Sequence, residues 1–283
     1  MRELFNFKIF DYGDEKQIVF FSSPLERGSF DEDHKRFREP AESVITVGSE
    51  YDESSVVCIK EVGYNDKYRS YKRTRDNLYD YARANKWEWF CTFTTSQKKV
   101  GDRYDCYELL KKIRKWFNNY KTRHCNDLKY LFIPELHKDG AVHLHGLISN
   151  INKNDLKHIG HGIYVFQPYF EKFGACNFSK VKDSKRVSNY IMKYVQKDVD
   201  DEWTRITNVK TPEQRFYRQR YFVSNNVKKS EKEYINYEGS IGEFLQEYQQ
   251  KGYKLMYSST TSFGSLNINY LQVKLANNTT MEK

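Results

Sequence analysis

The stretch Ile133 to Asn150, IPELHKDGAVHLHGLISN, sets His143 and His145 two residues apart inside an apolar run. Strand side chains alternate between faces, so this spacing puts both imidazoles on one face of a β-strand. Tyr130 to Leu136 is a second apolar run, and Lys138, Asp139 and Gly140 between the two are hairpin residues, with glycine where a positive φ is wanted. The two runs are expected to pair as an antiparallel hairpin.

The register decides which carboxylate can join the histidines. A two-residue turn at Asp139 and Gly140 sets Leu136 opposite His143 and turns Glu135 away. A three-residue loop from Lys138 to Gly140, closed by a left-handed glycine, sets Glu135 opposite His143 on the same face. Opposed residues have Cβ atoms about 4.5–5.5 Å apart. The second register is taken as the hypothesis, because only it offers two imidazoles and a carboxylate to one divalent ion. Standing alone, such a histidine pair is more often two partly exposed residues on an edge strand.

The 283 residues suffice for one large domain or a core domain with appendages. Apolar residues make up 39% and charged residues 30%, so some segments are expected to be solvated or ordered by a partner. A net charge of +9 suits a polyanion, and 23 tyrosines could supply stacking surfaces, although ordinary basic solubility also accounts for the charge. Cys58, Cys91, Cys106, Cys125 and Cys176 have no CxxC spacing. That argues against a disulfide framework or zinc finger and for reduced thiols in the cytoplasm. With no run of about 18 apolar residues and no charged-then-apolar leader, neither a membrane span nor a secretion signal is expected.

Residues 1–67 read as a β-rich extension, with apolar runs at Gln17 to Phe21 and Ser43 to Val47 around a charged loop, Glu26 to Glu42. Tyr68 to Lys86 reads as a basic helix carrying Arg73 and Arg75, whose exposed face serves solvation as well as phosphate contact. Trp87 to Thr95 alternates β-branched and aromatic residues and is expected to be a strand, with Thr92 and Thr94 on one face. Tyr104 to Tyr120 repeats apolar residues at helical intervals. After the histidine hairpin, Asn152 to His158 reads as a short helix, and Gly162 to Pro168 and Cys176 to Val181 as strands. His158 and His161 read as loop or surface residues. Asp183 or Ser184 is placed to cap a helix running to about Asp198. Arg215 to Val223 reads as a strand, Ile241 to Gln250 as a helix, Leu266 to Val273 as a strand and Ala276 to Lys283 as a frayed tail.

The Asp183 helix carries YxxK twice, Tyr190 with Lys193 and Tyr194 with Lys197. At 3.6 residues per turn these four share a face, while Val187, Ile191 and Val195 form a separate apolar stripe. A surface helix of tyrosines and lysines is the plainer alternative. Taken with the histidines, the pattern describes phosphodiester chemistry. A phenol with a pKa of about 10 is a poor nucleophile at neutral pH. An ion on the histidines can stabilise charge on the phosphate, and a neighbouring lysine favours the phenolate. Attack then leaves the DNA end on tyrosine with its bond energy preserved.

The order Phe90 to Thr95, Glu135 with His143 and His145, then Tyr190 to Lys197 resembles the three motifs of HUH endonucleases. The branch it resembles is the rolling-circle replication initiators of small single-stranded-DNA phages and related plasmids and prophages. The resemblance covers roughly Tyr71 to Val223. It implies an α+β fold, RRM-like, with a central five-stranded antiparallel sheet flanked by helices, here spanning 68–229 between extensions at 1–67 and 230–283. It implies Mg²⁺ or Mn²⁺ on His143, His145 and Glu135, with Tyr190 as first nucleophile, Tyr194 as candidate second, and Lys193 and Lys197 assisting. A lone catalytic tyrosine, with Tyr194 merely packing, stays open. Arg73, Arg75, Thr92, Thr94, Arg215, Arg218 and Arg220 are the expected DNA contacts. It further implies nicking of single-stranded or hairpin origin DNA to give a 5′-phosphotyrosine and a free 3′-OH, in a bacterial cell or phage-infected host. No GxxxxGK[ST] loop is present, so a host helicase and polymerase are expected partners. A mobilisation relaxase or single-strand transposase shares this chemistry, and a non-catalytic nucleic-acid-binding protein is the alternative of another class.

Overall fold

The structure, a computed structural model, describes residues 3–27, 66–137, 139–196 and 220–276. In chain order β1 (Leu4–Asp11) and β2 (Glu15–Glu26) come first, then α1 (Asp66–Arg83), β3 (Trp89–Thr94), α2 (Gln97–Val100) and α3 (Cys106–His124). The histidine hairpin is β4 (Lys129–Leu136) and β5 (Val142–Ser149), followed by β6 (Leu156–Gly160), β7 (Ile163–Phe166), α4 (Gln167–Lys172) and β8 (Cys176–Lys180). Then come α5 (Ser184–Gln196), β9 (Phe222–Val223), β10 (Glu231–Ile235), α6 (Ile241–Gln250), β11 (Tyr253–Phe263) and β12 (Leu266–Leu275). The chain divides into two compact units, 66–229 and the combination of 1–65 with 230–283.

In the first unit an antiparallel sheet runs β6-β7-β8-β3-β5-β4-β9. Strand alternation sorts its residues into two cores. Trp89, Cys91 and Phe93 of β3 and Val142, Leu144 and Ile148 of β5 share a cluster with Leu109, Ile113 and Phe117 of α3. Leu131, Ile133 and Leu147 share the other with Leu78 and Ala82 of α1 and Ile191 and Met192 of α5. Each fully buried aliphatic or aromatic side chain here contributes about 1.5–3 kcal/mol relative to exposure. The helices start where the sequence caps them: Asp105 accepts from the Glu108 N–H at 3.0 Å for α3, and Asp183 from the Arg186 N–H at 2.9 Å for α5.

Among the described residues the sheet has seven strands, which corrects the five-stranded expectation. The residues read as a short helix from Asn152 form one 3₁₀ turn, Lys153–Asp155, and then enter β6. His161 (φ 49°) and Gly162 (φ 71°) make a two-residue turn with both central residues left-handed, which matches the twist of a hairpin and folds β7 back on β6. The outermost strand, β9, is only two residues long. Most of the Arg215 to Val223 segment lies outside the described residues, as do Ser43 to Val47 and residues 277–283 of the tail.

The segments read as separate N- and C-terminal extensions build one sheet in the second unit, ordered β10-β1-β2-β12-β11. Its core gathers Phe7, Ile9 and Ile18 from the first two strands with Leu271 and Val273 from the last and Phe244 and Tyr248 from α6. Phe7 stacks on Phe244 at 3.9 Å between ring centroids. A capping box between Ser240 and Glu243 starts α6. Among the described residues Cys91, Cys106, Cys125 and Cys176 are free thiols, and no helix is long and apolar enough to cross a membrane.

Gly146 follows His145 and lies opposite Phe132, whose ring occupies the space a side chain would need. A Cβ there would stand 2.2 Å from Phe132 Cδ1 and 2.6 Å from the Leu131 carbonyl oxygen. Gly146→Ala is therefore expected to cost about 1–3 kcal/mol by overpacking, read as a lower urea midpoint at unchanged slope.

Candidate active site

The β4–β5 hairpin closes through a three-residue loop. The Gly140 N–H donates to the His137 carbonyl at 2.7 Å and the His137 N–H to the Ala141 carbonyl at 2.8 Å, with Gly140 at φ 88°. Asp139 adds an acceptor for the Ala141 N–H at 3.0 Å, which holds its carboxyl below the usual carboxylate range. This is the register that sets Glu135 opposite His143 and Ile133 opposite His145. The Glu135 carboxylate reaches diagonally along the strand, to 2.7 Å from His145 Nε2.

β3 lies on the other side of β5, with Thr92 opposite His145 and Thr94 opposite His143. Each threonine hydroxyl meets the Nδ1 of its opposed histidine, at 3.2 Å and 3.0 Å respectively. Both rings are thereby tethered at Nδ1, which leaves Nε2 of His143 to face a ligand, while Nε2 of His145 meets Glu135. Thr92 and Thr94, read from the sequence as DNA contacts, thus have their hydroxyls turned toward the imidazoles.

α5 brings the phenols to the same face. The Tyr194 ring stacks on His145 at 3.6 Å and 16°. Its hydroxyl donates to the Tyr190 oxygen at 3.0 Å, and Tyr190 is 42% exposed. Phe90, to which the sequence reading gives no role of its own, contacts three of these rings: Tyr190 edge-on at 5.4 Å, Tyr194 at 6.3 Å and His145 at 6.2 Å. Its position two residues before Thr92, on the same strand face, was the available signal. Exposed Lys193 sits with its ammonium 5.5 Å from the Tyr190 ring centroid. Arg73 and Arg75 lie on α1, and Arg220 is half-buried ahead of β9. Lys197, Arg215 and Arg218 lie outside the described residues.

Burial, and then the neighbouring His145, hold the His143 imidazole down to about 4, so it is neutral at pH 7 and able to act as a ligand. Burial, the Tyr190 hydrogen bond and nearby Glu135 push Tyr194 well above the ordinary phenol range. Two imidazoles and a carboxylate make an N/O donor set of the kind that suits a hard or borderline divalent ion. Among the described residues no group of three or more His, Cys, Asp or Glu side chains is already arranged around a common point. The donor types suit a divalent ion, while the His145–Glu135 contact at 2.7 Å joins two of them to each other.

The depressed His143 has a definite consequence for the metal-free protein. Between pH 6.5 and about 4 the unfolded chain binds a proton that the folded chain refuses. Stability must fall as pH drops through that window. Urea midpoints measured across it should decline, and His143→Asn should make the decline shallower; an unchanged slope would contradict the burial assigned to this ring.

No curated protein and no solved structure matches the chain. Residues 88–199 match one family model, that of the replication-associated protein ORF2. That span is less than half of the chain, yet it takes in β3, the histidine hairpin and α5, and so every ring and carboxylate of this site; the match is consistent with a replication initiator.

Proposed function

We propose that the protein initiates rolling-circle replication by nicking single-stranded or hairpin origin DNA through tyrosine attack. The observation that carries this reading is the Tyr194 ring stacked on His145, with its hydroxyl bonded to that of Tyr190, inside the matched span. Few structural needs call for two phenols over a His-Glu-His patch, whereas phosphoryl transfer needs a nucleophile beside a charge-stabilising site.

Tyr190 is the outer phenol and acts first. Its oxygen attacks the scissile phosphorus and the phenolic proton passes to solvent. The bond to the 3′-oxygen breaks, and that oxygen is protonated to a free 3′-OH. The phosphate stays on tyrosine as a 5′-phosphotyrosine, which a later 3′-OH can displace to rejoin the strand. Tyr194 donates its hydroxyl hydrogen to the Tyr190 oxygen and is the second nucleophile. Lys193 favours negative charge on the phenol. Thr92 and Thr94 keep the imidazoles from rotating, and Phe90 supplies the apolar wall that positions both phenols. Mg²⁺ or Mn²⁺, when held by His143, His145 and Glu135, supplies positive charge for the phosphate oxygens. Work in the bacterial cytoplasm with a host helicase and polymerase follows from the same reading.

Incubation of the protein with Mn²⁺ and single-stranded or hairpin DNA should yield a covalent adduct. Tyr190→Phe should lower its yield at least tenfold, and the double change with Tyr194→Phe should abolish it. Adduct persisting in the double variant removes α5 from the mechanism. No adduct from the unaltered protein, with DNA binding intact, favours a binding-only role. Thr92→Val should weaken Mn²⁺ binding about 10–100-fold by calorimetry, as loss of an outer tether does. Thr92→Ser should restore it, and equal affinity in all three proteins would remove the tether from the account.

A further inference from the structure

We propose that a surface of exposed aromatic rings, starting at the tip of the histidine hairpin and ending in a lysine-lined groove of α3 and α4, is a track for single-stranded DNA. The proposal rests on the reading of DNA as the substrate.

The surface begins next to His143. The His137 ring lies 5.9 Å from that of His143, and the Val142 N–H donates to the Arg103 carbonyl at 3.1 Å. Arg103 also pairs with Asp139 of the loop, which balances its charge, and lies over the Tyr104 ring, 5.2 Å from its centroid, so the tip contributes rings rather than net positive charge. Tyr104 is 49% exposed, with Gly140 of the loop beside its ring. The segment after β3 is tied onward to the end of α4, since the Ser96 N–H donates to the Phe173 carbonyl at 2.8 Å. There Lys99 stands 4.3 Å from the centroid of Phe170, which is 42% exposed.

Beyond Phe170 the surface opens into a groove lined by Lys99, Lys112, Lys115 and Lys172 around Trp116. Among the described residues no acidic side chain lines it, and Lys112, Lys115 and Lys172 pair with no carboxylate. Unpaired lysines attract phosphates, and exposed aromatic rings beside cations offer faces on which unpaired bases stack. An acidic peptide could use the lysines but gains nothing from Tyr104 and Phe170. A duplex has its bases stacked inside and cannot use those rings either. Single-stranded DNA uses both, and the tip places the start of the track beside the proposed site of cutting.

The test is fluorescence anisotropy on the full chain with labelled oligo(dT) of about 30 nucleotides, at several salt concentrations. K112E/K115E/K172E should weaken binding at least tenfold and make the salt slope shallower by about 2, as three lost phosphate contacts require. K153E/K157E/K182E carries the same charge change on exposed residues of the same unit that line no part of the groove, and should lose much less. Tyr104→Ala with Phe170→Ala should weaken oligo(dT) about tenfold, the scale of a lost stacking contact, while leaving inorganic polyphosphate binding unchanged. Equal losses from the two lysine sets overturn the track. So does an aromatic pair that leaves oligo(dT) affinity intact, or one that weakens polyphosphate equally. Oligo(dT) binding needs no cleavage, so absence of the covalent adduct would sink the nickase reading while these outcomes judged the track separately.

Discussion

A left-handed glycine at the end of a three-residue loop sets the register on which the site depends. Strand side chains repeat every two residues, so a one-residue slip in β4 would turn Glu135 to the opposite face and bring Leu136 opposite His143. Gly140 at φ 88° closes the loop without strain, and the hairpin bonds at His137 lock the pairing. The polar cluster then inherits its geometry from the backbone: Glu135 beside His145 from one neighbouring strand, and Thr92 and Thr94 behind both rings from the other.

α5 is held to that face by the opposite logic, apolar contact. Ile191 and Met192 are buried against Leu131, Ile133 and Leu147, on the same side of the sheet as the histidines. The helix period then places Tyr190 and Tyr194 over the polar end of the strands. Polar and apolar residues share one sheet face, segregated along the strand direction: Leu147 under the helices, His145 and His143 toward the loop. A small shift of α5 would uncouple the phenols from the imidazoles while leaving the core intact. Phe90, touching both phenols and His145, opposes such a shift.

Local signals were legible in the sequence. The hairpin loop, the alternation of β3, the Asp183 cap and the whole of α6 were readable because each depends on residues within a turn or two of one another. What could not be read depends on distant pairings. Thr92 and His145 are 53 residues apart, and nothing in either segment says that β3 rather than another strand lies beside β5. The sheet was misread for a local reason: the turn at His161 and Gly162 has a histidine in a left-handed conformation, a weak signal by itself, so β6 was read as part of a short helix, while the five-stranded expectation came from the resemblance. The order of the phenols was also hidden, because helix spacing puts Tyr190 and Tyr194 on one face without saying which ring meets the histidines.

The second sheet has a consequence for how the chain is made. Two of its inner strands, β1 and β2, are synthesised first, and their partners β10 and β12 only after residue 230. At ribosomal speeds of about 5–20 residues per second, the early hairpin waits on the order of ten to forty seconds for them, with both edges unpaired. During that interval the 66–229 unit can emerge whole, since every strand pairing among its described residues lies within it. Maturation is thus ordered in time: the half that carries the histidines and phenols is complete before the terminal half can close, and a stalled or shortened chain would display two open β-edges, the usual starting point for aggregation.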